Sequence, residues 1–193
     1  MPTAENIRTM LSVGRQQIHL GRTGEVIALI HAQPRKARQL IECLWDDDLG
    51  VASRAADALE EITRDMPSLL NPWKDELLGL LSEATQNKLR WSLALIVPRC
   101  RLGHAECERV ADILVTYLED PSSIVKTCAL QGLADLTVQD RALLPWVLDL
   151  VCMHSRSGTP AMRARGGKLQ QQLQKQKETG TIAPLAFRSL RKG

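Results

Sequence analysis

The stretch EDPSSIVKTCALQGLADL, Glu119 to Leu136, decides how this chain is built. An acidic loop bearing a proline runs straight into residues that recur on one helical face: Val125, Ala129, Gly132 and Leu136, at i, i+4, i+7 and i+11. Moving that template along the chain finds Val51, Ala55, Ala58, Ile62, then Leu89, Leu93, Ile96, Cys100, and finally Met162, Gly166, Leu169, Leu173. Successive starts are 38, 36 and 37 residues apart, a spacing expected of stacked helix pairs. The stretch is one copy of a repeat.

A second marker is independent of the first. Seventeen residues before each start stand Pro34, Pro72, Glu108 and Pro145, and six residues beyond those come Leu40, Leu78, Leu114 and Val151. Proline is tolerated in a helix's first turn, where its missing N–H would have no partner anyway, so it marks an early position of a preceding helix. Each unit therefore reads as helix A, a short polar loop and helix B. The loops are DDDLG (Asp46 to Gly50), TQNK (Thr85 to Lys88), DPSS (Asp120 to Ser123) and SRSGT (Ser155 to Thr159). In them Asp48, Asn87, Ser122 or Ser123, and Thr159 are suited to accept the free N–H groups that open helix B. No segment alternates with period two, so the expected class is all-α.

With its acidic loop, its Val followed by a basic residue, and its small and aliphatic residues beyond, EDPSSIVKTCALQGLADL resembles helix B of a HEAT or armadillo-type repeat. LLPWVLDLV, Leu143 to Val151, is similar to the family's proline-bearing helix A. The resemblance covers roughly residues 24 to 173 and implies a right-handed α-solenoid of about four helix pairs. Ala52 and Ser53 stand where the pattern carries a basic residue, and Pro98 falls inside the second helix B, which it is expected to kink or shorten. The expected organisation is an N-terminal capping helix over 1–23, helical repeats over 24–174 and a basic C-terminal tail over 175–193. Val13, 38 residues before Val51, extends the register into the cap. Gly180 and Pro184 break any helix in the tail, whose polar composition points to mobility.

Composition narrows the function. Hydrophobic residues make up 44% and charged residues 24%, yet the aromatics are four Trp, Tyr117 and Phe187, so the core is aliphatic and platforms for stacking bases are few. Apolar runs such as Leu93 to Val97 fall far short of a membrane span, and MPTAENIRTML lacks the pattern of a leader, which together indicate a cytoplasmic protein. Five cysteines, an odd number, are expected to be reduced. The net charge of +3 conceals a division. Residues 1–155 hold 16 basic and 21 acidic side chains, whereas 156–193 hold 9 basic and 1 acidic.

If the B helices line a concave face, as the resemblance implies, Arg54, Arg90, Lys126, Arg163 and Arg165 are candidates for a basic stripe contacting phosphates. The alternative is an internal ladder, with Lys126 paired to the preceding loop's Asp120. A second candidate group lies toward the C-terminus: Lys168, Lys175, Lys177, Phe187, Arg188, Arg191 and Lys192. There PLAFRSLRKG offers Leu185, Phe187 and Leu190 as a short docking motif.

Cys100, His104 and Cys107 are ligand types for zinc, but Cys100 holds a core position and no fourth ligand is evident, so no metal is expected. The acid run of Asp46, Asp47 and Asp48 beside Trp45 reads as a solvated loop with a helix cap. The HEAT-like alkylpurine DNA glycosylases share this architecture and hold an aspartate among tryptophans, here represented by Trp45, Trp73, Trp91 and Trp146. No phosphate loop, G-x-S-x-G, H-E-x-x-H or paired C-x-x-C occurs. The expected function is a non-catalytic scaffold that binds another protein through the concave surface, with no cofactor. Nucleic-acid binding is the alternative, and a glycosylase of the kind just named is the one enzyme class entertained.

Overall fold

The computed structural model describes residues 6–13 and 22–179. These residues form α-helices joined by short 3₁₀ turns, with no strand among them. The chain divides into two compact units, Met1–Arg101 and Leu102–Gly193, and the boundary falls between the second and third helix pairs read from the repeat.

In the first unit α1 (Ile7–Ser12) and α2 (Thr23–Ala32) precede α3 (Ala37–Glu42), α4 (Leu49–Ile62), α5 (Lys74–Glu83) and α6 (Asn87–Ile96). Helix α4 is the hub, packing against α1, α2, α3 and α6, while α5 packs on α6. In the second unit α7 (His104–Tyr117), α8 (Ser123–Gln139), α9 (Leu144–Ser157) and α10 (Pro160–Thr179) follow one another. There α7 packs on α8, α8 on α9 and α10, and α9 on α10. In each unit, then, neighbouring helices pack in pairs, α3 on α4 and α5 on α6 as α7 on α8 and α9 on α10, and α4 also meets α6 as α8 meets α10.

All the register positions are inside. Val51, Ala55, Ala58, Ile62, Leu93, Ile96, Cys100, Val125, Ala129, Leu136, Leu169 and Leu173 are fully buried, Met162 and Leu89 nearly so, and Gly132 and Gly166 are also buried. Leu40, Leu78, Leu114 and Val151, fixed by the proline marker, are buried too. Burial contributes roughly 1.5–3 kcal/mol for each Val, Leu, Ile or Met side chain before ordering costs, so these positions are part of what stabilises both units.

The punctuation follows the local chemistry. Pro34 opens a 3₁₀ turn ahead of α3, Pro72 lies in the turn leading into α5, and Pro145 occupies the first turn of α9. The Asp48 side chain accepts the Gly50 and Val51 N–H groups to open α4, at 2.8 and 3.3 Å. The Ser122 hydroxyl does the same for Val125, and Thr159 for Met162. Asn87 behaves differently: it is already the first helical residue of α6, and the preceding Gln86 makes no side-chain cap. Pro98 ends α6 at Ile96, and a 3₁₀ turn over Val97–Arg99 carries the chain on to the buried Cys100.

At the N-terminal end Val13 does not share the burial of Val51. It is half exposed and terminates α1, because the helix stops at Ser12. The sequence reading did not separate α2, whose Val26 and Ile30 are fully buried and which lies along α4. At the other end α10 runs through Lys175 and Lys177 to Thr179, beyond the expected end of the repeats at residue 174. Its last buried side chain is Gln176, bonded to Thr137 of α8.

Candidate functional site

The basic side chains proposed for a stripe are turned largely onto their own chain. Arg54 Nε donates to the Leu11 carbonyl at the end of α1, tying α4 to that helix. Arg90 Nε donates to the Ala84 carbonyl at 2.6 Å, just past the end of α5, and an Arg163 terminal nitrogen donates to the Gly158 carbonyl at 2.9 Å, just past the end of α9. The last carbonyls of a helix lack intrahelical partners and carry its negative pole, so a guanidinium there satisfies both needs at once. Arg90 and Arg163 each stand one residue after a register position, Leu89 and Met162. In each case that arginine closes the end of the preceding helix.

Lys126 and Arg165 sit differently. Arg165 is only partly exposed, and burial pulls its basicity down while Asp135 and Cys128 of α8 oppose that shift. Lys126 acts on His154 of α9, and the positive charge adds to the burial that holds this imidazole below its ordinary range. Asp120, expected to pair with Lys126, is 4% exposed and accepts the Ser122 N–H at 2.7 Å, shaping the loop that opens α8. Lys168, Lys175 and Lys177 lie exposed on α10. Phe187, Arg188, Arg191 and Lys192 lie outside the described residues.

The acid run is structural. Arg8 grips Asp46 with two bonds, 2.6 and 3.0 Å long, and its guanidinium holds this carboxyl below the usual range. Asp46 also accepts the Asp48 N–H at 2.9 Å, and Asp48 in turn caps α4. Next to them Trp45 is 46% exposed on the wall of an open recess of about 260 Å³, shared with Leu80, Glu83, Ala84 and Leu89. None of the four Trp is fully enclosed: Trp73 and Trp91 are half-buried and Trp146 is 40% exposed. The guanidinium of Arg38 lies 5.9 Å from the Trp73 ring centre.

His104 opens α7 with its Nδ1 2.6 Å from the Asp140 carboxylate and its Nε2 3.5 Å from Glu108, contacts that raise its pKa. Cys100 is fully buried in the first unit, and burial pushes the thiols of Cys43 and Cys107 up to about 11. These cysteines are inert core residues. Among the described residues no three His, Cys, Asp or Glu side chains gather as a metal site.

One surface feature escaped the sequence reading. Helix α9 buries Leu144, Val147, Leu148 and Val151 on one face, yet it also carries Trp146, the half-buried Leu150 and the 50% exposed Met153 on another. The signal was present: in LLPWVLDLVCM the apolar residues outnumber what a single helical face can hold. No protein-family model matches this chain, and no curated protein matches it at a significant level.

Proposed function

We propose that this chain is a non-catalytic binding scaffold, built as a HEAT-type α-solenoid of about four helix pairs, whose B-helix surface receives another protein. The repeat register supports the solenoid: positions set 36 to 38 residues apart play the same buried role in α4, α6, α8 and α10. Rigid stacked pairs offer a broad surface without any requirement for chemistry. The step from fold to function is an analogy.

The observation that carries a protein partner over nucleic acid is the use of Arg54, Arg90 and Arg163. Each directs a donor at a main-chain carbonyl of its own chain. A phosphate-reading stripe needs those donors pointing outward, where neutralised phosphates release counterions and make binding strongly salt-dependent. The exposed positions of the B helices are also chemically mixed, with Leu49, Glu61, Lys88 and Ile124 among them. The test is anisotropy of labelled duplex and single-stranded oligonucleotides with the full chain at low and physiological salt, run beside nuclease-treated affinity purification. A stoichiometric protein partner and no salt-sensitive oligonucleotide binding is the expected result. Tight oligonucleotide binding that collapses with salt and with Lys168→Glu/Lys177→Glu overturns it in favour of the nucleic-acid reading.

A further inference from the structure

Beside Trp45, in the first unit, an exposed aromatic ring, apolar surface and an exposed carboxylate meet in one recess. It forms where the loop after α3 comes alongside the loop between α5 and α6. Leu44, Ala52, Leu80 and Leu89, each less than a tenth exposed, supply the apolar surface. Trp45 and the exposed Glu83 of α5 stand among them. At about 260 Å³ the space falls below that of pockets that enclose a whole small ligand, and it suits one long side chain.

The charge of its surroundings is negative. The stretches that build it, 44–52 and 74–89, hold six acidic side chains against two basic ones, Lys74 and Lys88. Arg8, reaching over from α1, already gives two donors to Asp46, and Arg90 turns to the Ala84 carbonyl. Asp47, Asp75, Glu76 and Glu83 lie exposed. The closing turn of α5 and the opening turn of α6 flank the recess with opposite poles that offset each other, so the side chains set its sign.

We propose that this recess receives an arginine side chain of a partner protein. Its methylene stem lies on Leu80 and Leu89, its guanidinium stacks on the Trp45 indole, and its donors reach the Glu83 carboxylate. Arginine fits better than lysine because its planar fork both stacks on an aromatic face and pairs with a carboxylate. A wholly apolar occupant would cover Glu83 without giving it a partner, at a desolvation cost. The inference rests on the scaffold reading and adds to it a place and a chemistry for the partner's anchor.

Selection from a random peptide library on the full chain tests it, with the selected peptides then measured on Trp45→Leu, Glu83→Gln and, as a control outside the recess, Asp75→Asn. Trp45→Leu keeps an apolar body without the ring, Glu83→Gln changes only an exposed group, and unchanged thermal unfolding checks the fold. The selected peptides should share an arginine. The tightest should lose roughly tenfold or more in affinity on Trp45→Leu, or when its arginine is replaced by methionine, and several-fold on Glu83→Gln or when lysine replaces the arginine. Asp75→Asn should leave it unchanged. Peptides that share only apolar or acidic residues, that bind Trp45→Leu and Glu83→Gln as well as the native chain, or that fail to enrich at all overturn the proposal. So does a protein recovered in the nuclease-treated purification that binds both variants as tightly as the native chain, a result that leaves the scaffold reading standing.

Discussion

Thr63 and Thr137 stand twelve residues after Val51 and Val125, and the two units solve the same problem there with different chemistry. Both are fully buried, and both hydroxyls donate at 2.7 Å to a carbonyl of their own helix, Leu59 and Ala134. Each also receives the next B element. In the first unit that element is Arg99, whose terminal nitrogen donates to Thr63 Oγ1 at 2.9 Å and to the Glu60 carbonyl at 2.6 Å. Its other nitrogen meets the Glu60 carboxylate at 2.7 Å, which also holds Arg64. In the second unit the element is a neutral amide: Gln176 Nε2 donates to the Thr137 carbonyl at 3.1 Å, and Oε1 lies 3.3 Å from the hydroxyl. One junction is an ionic knot with a 4% exposed carboxylate, the other a neutral pair. Ionic fastening exposes a fold to larger losses when one partner goes, because the charge left behind has no water to return to.

That contrast gives the largest expected effect. Arg99→Ala strips Glu60 of one of its two cations and leaves a buried carbonyl and hydroxyl short of a donor, so unfolding free energy should fall by about 3–5 kcal/mol in urea denaturation. Gln176→Ala breaks only neutral bonds, and a loss of about 1–3 kcal/mol is expected from the buried groups left unsatisfied. Equal losses from the two substitutions would break the comparison by showing that charge does not matter at the junction. A larger loss from Gln176→Ala would reverse it.

The junctions also show where sequence reading stops. The buried register, the caps at Asp48, Ser122 and Thr159, and the effect of Pro98 were legible because each rests on a local rule: period, cap chemistry, a missing N–H. Thr63 and Thr137 recur in register and could have been found by the same sliding template, had polar positions been aligned as well as apolar ones. Their partners could not, since Arg99 and Gln176 fall at different offsets in their own repeats and meet the threonines only once the helices pack. The basic residues were found, but their direction was not: nothing in the sequence distinguishes an arginine that reaches outward to phosphate from one that folds back onto Ala84 or Gly158. Helix α2 matches no copy of the template, although its Val26 and Ile30 show the one-turn spacing of a buried face.

Gly166 sharpens the contrast between the units at one repeat position. Its equivalents are Ala55, Leu93 and Ala129, so the template alone permits a side chain there. In α10 an added Cβ would stand 3.0 Å from Ser155 Cβ and 3.1 Å from its Cα, against the backbone of α9. In an open helix Gly→Ala is stabilising by roughly 0.5–1 kcal/mol, so the sign is diagnostic. Gly166→Ala should instead destabilise by about 1 kcal/mol, the lower end of overpacking, whereas Gly167→Ala, with open space around it, should stabilise. Thermal unfolding of the pair reads both signs, and a stabilised Gly166→Ala would show that α9 and α10 are not packed this closely.

The smallest effect concerns protons and again sets two sites against each other, here within the second unit. The hydrogen bond and charge of Asp140 raise His104 above the ordinary 6.5, and burial lowers His154 below it. The stability that His104 gains from its charged form is complete below 6.5 and is lost as pH rises through the raised value. His154 works in the opposite sense: its contribution is present above 6.5 and is lost as pH falls through the lowered value, because the ring must then charge where it is partly buried. In the native chain the two slopes lie on opposite sides of 6.5, with stability falling toward alkali through His104 and toward acid through His154. His104→Gln removes the alkaline one, so the urea midpoint followed from about pH 8 down to about pH 5 should no longer rise as pH falls toward 6.5 and should keep only the fall on the acid side. His154→Gln should do the reverse, leaving stability that declines as pH rises. Because His104 is 65% exposed, solvent screens its pairing, and its slope should be the shallower of the two. A His104→Gln chain whose pH profile superimposes on the native one would mean that Asp140 serves α9's approach alone, through the Ala142 N–H it accepts at 3.0 Å, and that the imidazole is a bystander.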